Sequence, residues 1–248
     1  MATRMLFSGD TGRTAHCAVL PESLRHSAVA SALLAIGNYA HLAKGEALVG
    51  DPAQHRLVYI LSGAAKLVAP PCPSGESGGT GQVLAFHFPG DMIPVLRQGD
   101  GHFRLIALTD CQVVAFPTDG FLDIAEGDPA ILRWVLTSSL QALHRSRHRM
   151  MQLGHKSARQ RIADFLVSMA ERMSDARSRT CRIILPMSRR DIGESLGLTI
   201  ETVSRQFTEL RDAGLIETRG RSHVRLLDVP ALAQVAGQTC HLGSVQHI

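Results

Sequence analysis

Apolar and polar positions alternate with two different rhythms along this chain. Up to Phe116 the apolar residues come in short runs: LVYILSGAAKLV (57–68), GQVLAFHFPGDMI (81–93) and RLIALTDCQVVAF (104–116). Gly, Asp and Pro bound the runs, which are rich in apolar β-formers. Such runs predict short antiparallel strands, closed into a barrel or sandwich, between His41 and Phe116. A short helix is expected before them, over Ser31 to Tyr39, and residues 1–20 carry little pattern. The stretch PPCPSGESGGTG (70–81) reads as a loop.

From Pro129 onward the rhythm becomes helical. Ile131, Leu132, Val135, Leu136, Leu140, Leu143, Met150, Met151 and Leu153 recur at intervals of three and four. A helix of about 25 residues rises nearly 40 Å. Apolar positions at a heptad-like interval on so extended a helix suit a seam with a second copy, near Leu132, Leu136, Leu140 and Leu143. Packing on its own domain is the alternative. A second helix (Ser157 to Met173), the strand-like CRIILPM (181–187), a helical pair (188–216) and two short strands around Arg219-Gly220-Arg221 follow.

The helical pair, SRRDIGESLGLTIETVSRQFTELRDAGLI, carries the clearest chemistry. With Arg189 as first position, Gly193 is fifth, Gly197 ninth and Val203 fifteenth. A helix-turn-helix needs a small residue where its helices cross, a residue tolerant of positive φ in the turn, and an apolar residue packing inward. Ile192, Leu196, Leu198, Val203, Phe207 and Leu210 supply the apolar faces. The second helix opens at Thr199 and offers Ile200, Glu201, Ser204 and Arg205 in its first two turns. Arg suits guanine O6 and N7, Glu accepts from cytosine N4, Ser serves either role, and Ile can touch a thymine methyl. Arg189, Arg190, Thr199, Thr202 and the wing residues Arg219 and Arg221 are candidates for phosphate contact. An ordinary helical hairpin, with Glu201 and Arg205 as an i,i+4 surface pair, is the bland alternative.

Charge supports the nucleic-acid reading. Between Ala142 and Arg225 there are 17 Lys+Arg and 9 Asp+Glu, a net of +8, within a chain whose total is +4. A phosphate backbone attracts such a region whatever its sequence. With 45% hydrophobic and 19% charged residues and no run of 18 apolar ones, the composition suits a globular protein without a membrane span. The N-terminus shows no secretory apolar stretch, so a cytoplasmic location is expected. Five cysteines, at 17, 72, 111, 181 and 240, include no CxxC pair and do not form a disulfide pattern. Cys111 sits in an apolar run. Cys181, among Arg177, Arg179 and Arg182, is the candidate redox thiol.

The order of strands, long helix and winged helix-turn-helix resembles the CRP/FNR family of bacterial transcription regulators. The likeness rests on KGEALVGDPAQHRLVYILSGAAKLV, on the turn FPGDMI, and above all on RRDIGESLGLTIETVSRQFTELRDAGLI, and covers roughly residues 22–230. The fold it implies is α+β: an N-terminal antiparallel β-roll of the cyclic-nucleotide-binding type, a long dimerisation helix, and a C-terminal winged helix-turn-helix. The expected divisions are a flexible 1–20, a roll over 21–128, the dimer helix over 129–155, the DNA-binding domain over 156–230 and a tail over 231–248. The set Glu201, Ser204, Arg205 is similar to that of FNR- and FixK-like members, which read TTGA-type half-sites.

The resemblance implies a homodimer on a palindromic operator in double-stranded DNA. It also implies contact with RNA polymerase, activation, and genes of low-oxygen or nitrogen-oxide metabolism. Signal sensing varies across the family. After Pro89-Gly90-Asp91 the chain reads MIPVLRQGDGHFRLIAL, without the Glu and Arg-Ser of a cyclic-nucleotide cradle; Arg97 and Arg104 stand alone. Cys17 and Cys111 cannot hold a four-thiolate cluster. Pro94 and Leu96 occupy the stretch where a carbon-monoxide-sensing relative carries haem ligands. His144 and His148, an i,i+4 pair, lack a third metal ligand. No cofactor or metal is therefore expected. A ligand-gated member, sensing haem (through His87 or His102), nitric oxide or a metabolite, is the alternative. A cupin-like enzyme needs clustered His and carboxylate, and the strands show only His87.

Overall fold

The computed structural model describes residues 29–49, 54–69, 81–95, 103–174 and 178–238. The chain divides into two compact units, Met1–Ser146 and Arg147–Ile248. Expectations for Cys17, Cys72, Cys240, Arg97, Leu96, His102, Arg177, the 1–20 segment and the 70–80 loop lie outside the described residues.

The first unit is an antiparallel roll. Its strands are β1 (Asn38–Leu42), β2 (Arg56–Ser62), β3 (Ala65–Val68), β4 (Val83–His87), β5 (Met92–Val95), β6 (Arg104–Ala107) and β7 (Cys111–Pro117). They form a four-stranded sheet in the order β1-β7-β2-β5 and a three-stranded sheet in the order β4-β3-β6. Strand β2 shows why its sequence is continuously apolar. Val58 and Ile60 face a core with Ile93, Leu105, Cys111 and Val113, while Leu57, Tyr59 and Leu61 face a second core on the opposite side. A strand buried on both faces loses the period-two alternation. Burial pushes the Cys111 thiol up to about 11, so it is inert core.

Helices cover the second face: α1 (Ala30–Ile36), α2 (Thr118–Ala125) and the first turns of α3 (Pro129–His155). The expected helix over Ser31 to Tyr39 stops at Ile36. Asn38 and Tyr39 instead pair with Ala115 and Val114 as part of β1. Helix α2 has no counterpart in the sequence reading. It is eight residues long, begins at Pro117 without a side-chain cap and contains Gly120. Tertiary packing holds it, through Phe121 edge-on to Phe116 at 5.2 Å. Burying such a ring stabilises by about 1.5–3 kcal/mol, more than the helix can supply alone.

Helix α3 runs 27 residues. Asp128 Oδ1 accepts from the Ala130 N–H at 2.9 Å with Pro129 first in the helix, a favourable start. Trp134 stands edge-on to Tyr59 at 5.9 Å.

The second unit contains α4 (Ala158–Met173), β8 (Cys181–Ile184), α5 (Arg189–Leu196), α6 (Ile200–Asp212), β9 (Ile216–Arg219), β10 (His223–Leu226) and α7 (Val229–Val235). A capping box between Ser157 and Gln160 starts α4. The sheet order is β8-β10-β9, and Gly220 turns the β9–β10 hairpin. The boundary expected at 231 falls inside α7. Leu232 and Ala236 are fully buried within α7 and its cap, and Asp228 caps that helix through the Ala231 N–H.

Candidate nucleic-acid interface

The α5–turn–α6 unit is fixed at both helix starts. Ser188 and Asp191 cap α5 reciprocally: the Ser188 N–H donates to Asp191 Oδ2 at 2.8 Å and the Asp191 N–H to Ser188 Oγ at 3.2 Å. Gly197 ends α5 at φ 64°, in the left-handed region that suits glycine. Gly193 is packed so closely that a Cβ there would stand 2.5 Å from the Leu198 carbonyl oxygen. Thr199 caps α6 by accepting from the Thr202 N–H at 3.2 Å. Ile192, Leu196, Val203, Phe207 and Leu210 are buried, which anchors one face of α6 and dictates which face is presented.

That presented face carries the expected base-reading residues. Ile200, Glu201, Ser204 and Arg205 are all exposed, on the first two turns of α6. The Glu201 carboxyl is held below its usual range by its own backbone N–H and by the Thr199 hydroxyl, so it is a firm acceptor. The alternative Glu201–Arg205 surface pair does not form among the described residues. Arg205 leans toward Glu209 instead, at 3.9 Å. An exposed pair that long contributes little and releases the guanidinium readily.

The phosphate candidates divide. Arg190, Arg219 and Arg221 are exposed. Thr199 and Thr202 stand hydroxyl to hydroxyl at 3.1 Å at the N-terminus of α6, where the helix dipole favours anions. Arg189 departs from expectation. Its guanidinium lies 3.2 Å over the centroid of the Phe207 ring, and Nη1 is buried without a hydrogen-bond partner among the described residues. Burial lowers it to about 10, so it stays charged at neutral pH. Its place is against α6, as a cation–π clip between the two helices, rather than out toward a phosphate.

Cys181 is likewise corrected. It is buried, with Sγ 2.9 Å from Ser174 Oγ. Strand alternation turns Arg182 to the opposite, exposed face, and Arg179 is engaged by Asp228 at 2.7 Å. Arg179 and Arg182, two of the arginines that made this thiol a redox candidate, are close in sequence and directed elsewhere.

Along α3, Leu136, Leu140 and Leu143 are 60%, 56% and 45% exposed, and Met150 is 71% exposed. Leu132 differs: it is partly buried against the helical face of the roll. His148 Nε2 lies 3.4 Å from Asp164 Oδ2.

Two features escaped sequence reasoning. Asp164, only 2% exposed, accepts from Lys156 Nζ at 2.6 Å and Gln238 Nε2 at 3.0 Å. Arg161 donates to the carbonyls of Lys156 and Leu196. A carboxylate inside the apolar run IADFLV was a readable sign of a buried partner. Nothing local marks Leu196 as the acceptor, 35 residues from Arg161.

A winged helix-turn-helix whose second helix exposes a polar face, in one chain with a cyclic-nucleotide-binding-like roll, is the make-up of a DNA-binding transcription regulator. A model of the Crp-like helix-turn-helix domain matches residues 160–235. The nitrogen fixation regulation protein FixK of Bradyrhizobium diazoefficiens is 33% identical over 206 residues, 78% of this chain and 84% of its own. The transcriptional activator protein anr of Pseudomonas aeruginosa is 31% identical, covering 79% of each chain. The solved structure of FixK2 from Bradyrhizobium japonicum superposes with TM-score 0.69 at 29% identity, over 83% of this chain and 100% of that one. The chain belongs to the CRP/FNR family, in its FixK-like branch. Among the described residues no helix is long and apolar enough to cross a membrane.

Proposed function

We propose that this regulator acts as a homodimeric transcription activator on a palindrome of TTGA-type half-sites, in genes of low-oxygen or nitrogen-oxide metabolism. The observation that carries the reading is the joint exposure of Glu201, Ser204 and Arg205 on a helix whose other face is locked by Val203, Phe207 and Leu210. Arg205 takes the guanine O6 and N7, and Glu201 the N4 of the cytosine paired to it or next to it. Arg190, Thr199, Thr202, Arg219 and Arg221 hold the backbone and set register without reading sequence.

Leu136, Leu140 and Leu143 supply the dimer seam, since three leucines in line on a long helix would otherwise face water. Leu132 contributes at its margin. A two-fold dimer places its half-sites about one helical turn apart. Activation requires contact with RNA polymerase, and similarity to the transcriptional activator protein anr supports the assignment as an activator. Selection of bound sequences from random DNA tests half-site and spacing together. A palindrome containing TTGA is expected; recovery of unrelated or unpaired sites contradicts the reading. Leu136→Glu should sediment as a monomer, and an unchanged dimer places the seam elsewhere.

A further inference from the structure

The end of α3 and the turn of the helix-turn-helix are joined by one side chain. Arg161, in the first turn of α4, donates from Nε to the Lys156 carbonyl at 3.0 Å and from Nη1 to the Leu196 carbonyl at 3.0 Å. Lys156 directly follows the last residue of α3, and Leu196 is the last residue of α5. Both carbonyls stand at helix C-termini, which lack intrahelical donors and carry partial negative charge. One guanidinium therefore caps two helices at once.

The Lys156 end is itself anchored. Its ammonium lies 2.6 Å from Asp164, a carboxylate 3% exposed that also faces His148 of α3 at 3.4 Å. The Leu196 end is equally constrained, because Gly197 and Thr199, the turn and cap of α6, follow at once. A lysine could satisfy one carbonyl as a point charge; only a planar fork meets two acceptors in fixed directions.

We propose that Arg161 is a positioning residue for base reading: it fixes the start of the recognition helix α6 against the end of α3. It touches no base. It determines how far, and at what angle, Glu201 and Arg205 are held from the end of the dimer helix. The consequence is for spacing between half-sites rather than for the identity of the bases within each. This rests on the reading of α6 as the base reader of a dimer.

The test uses the full-length protein on palindromes with identical half-sites and centres lengthened or shortened one base pair at a time. The native protein should show one steep optimum. Arg161→Gln should bind the optimal spacing about tenfold more weakly, a loss of about 1.4 kcal/mol, with a flattened spacing profile. The ranking of bases within a half-site should persist. Thermal unfolding confirms that the variant is folded. Arg161→Lys, which keeps the charge and one bond, should recover part of the affinity and little of the steepness, and it substitutes if the glutamine variant melts.

An unchanged profile in a folded variant overturns the proposal. So does an equal loss at every spacing, which would mark a merely structural role. Arg205→Ala in the same series separates the two readings: it should lose the base ranking at all spacings. If it does not, the assignment of α6 as reader fails, whatever Arg161 does.

Discussion

The roll and the DNA-binding unit bury polar groups in different measure, and the difference tracks what each must hold still. Of the buried polar side chains among the described residues, the roll has His87, whereas residues 147–238 have Asp164, Asp191, Ser195 and Gln206. The roll packs two apolar cores against the sheet that carries β2 and β7. Apolar packing is non-directional; it fixes volume more firmly than angle. The DNA-binding unit adds directional bonds at its helix starts and ends: the Ser188–Asp191 box, the Thr199 cap, the Lys156–Asp164 pair and the double cap by Arg161. Reading a base edge requires a side chain placed to within a hydrogen bond, so that unit is where directional contacts accumulate.

The comparison breaks most severely at Asp164. Asp164→Ala leaves the partly buried Lys156 ammonium without its carboxylate and should cost about 3–5 kcal/mol. Thermal or urea unfolding should show that loss in the transition of the DNA-binding unit and not in that of the roll. A change under 1 kcal/mol would mean that water replaces the carboxylate. Next in size is Gly193→Val. A Cβ would already meet the Leu198 carbonyl at 2.5 Å, so overpacking at the helix crossing should cost about 1–3 kcal/mol and lower operator affinity by tilting α6. Native affinity in that variant would show that the crossing has room to give.

The smallest effect sharpens the contrast from the other side. Gly120→Ala in α2 meets only Ile36 Cδ1 at 3.6 Å, ordinary contact. Replacing a helical glycine should stabilise the roll by about 0.5–1 kcal/mol. Calorimetry should show the gain while operator affinity stays unchanged. A shift in affinity would show that the roll's packing governs DNA binding.

The two regions were also unequally legible in the sequence. The helix-turn-helix could be read because its constraints are local. Gly193, Gly197 and Val203 lie within eleven residues, and each answers one steric demand. The strand runs of the roll could be read as strands, because residues buried on both faces stay apolar throughout. Helix α2 could not, because its stability comes from Phe121 meeting Phe116 of β7 and not from the helix propensity of its eight residues. Arg189 and Cys181 failed for a shared reason: sequence proximity does not say which way a side chain turns. Arg189 turns onto Phe207, eighteen positions away, and strand alternation separates Cys181 from Arg182. Arg161 escaped because its acceptors are backbone carbonyls, which no residue type announces.

Base reading by Arg205 is tested by the ratio of operator to random-DNA affinity for Arg205→Ala, measured across a salt series. Losing a bidentate base contact costs about 1–3 kcal/mol per half-site. The variant should therefore lose most of its preference while keeping weak binding whose salt slope is close to that of the native protein, since the phosphate contacts remain. Full preference for the operator in the variant would contradict the account, and the reading helix would have to be sought elsewhere.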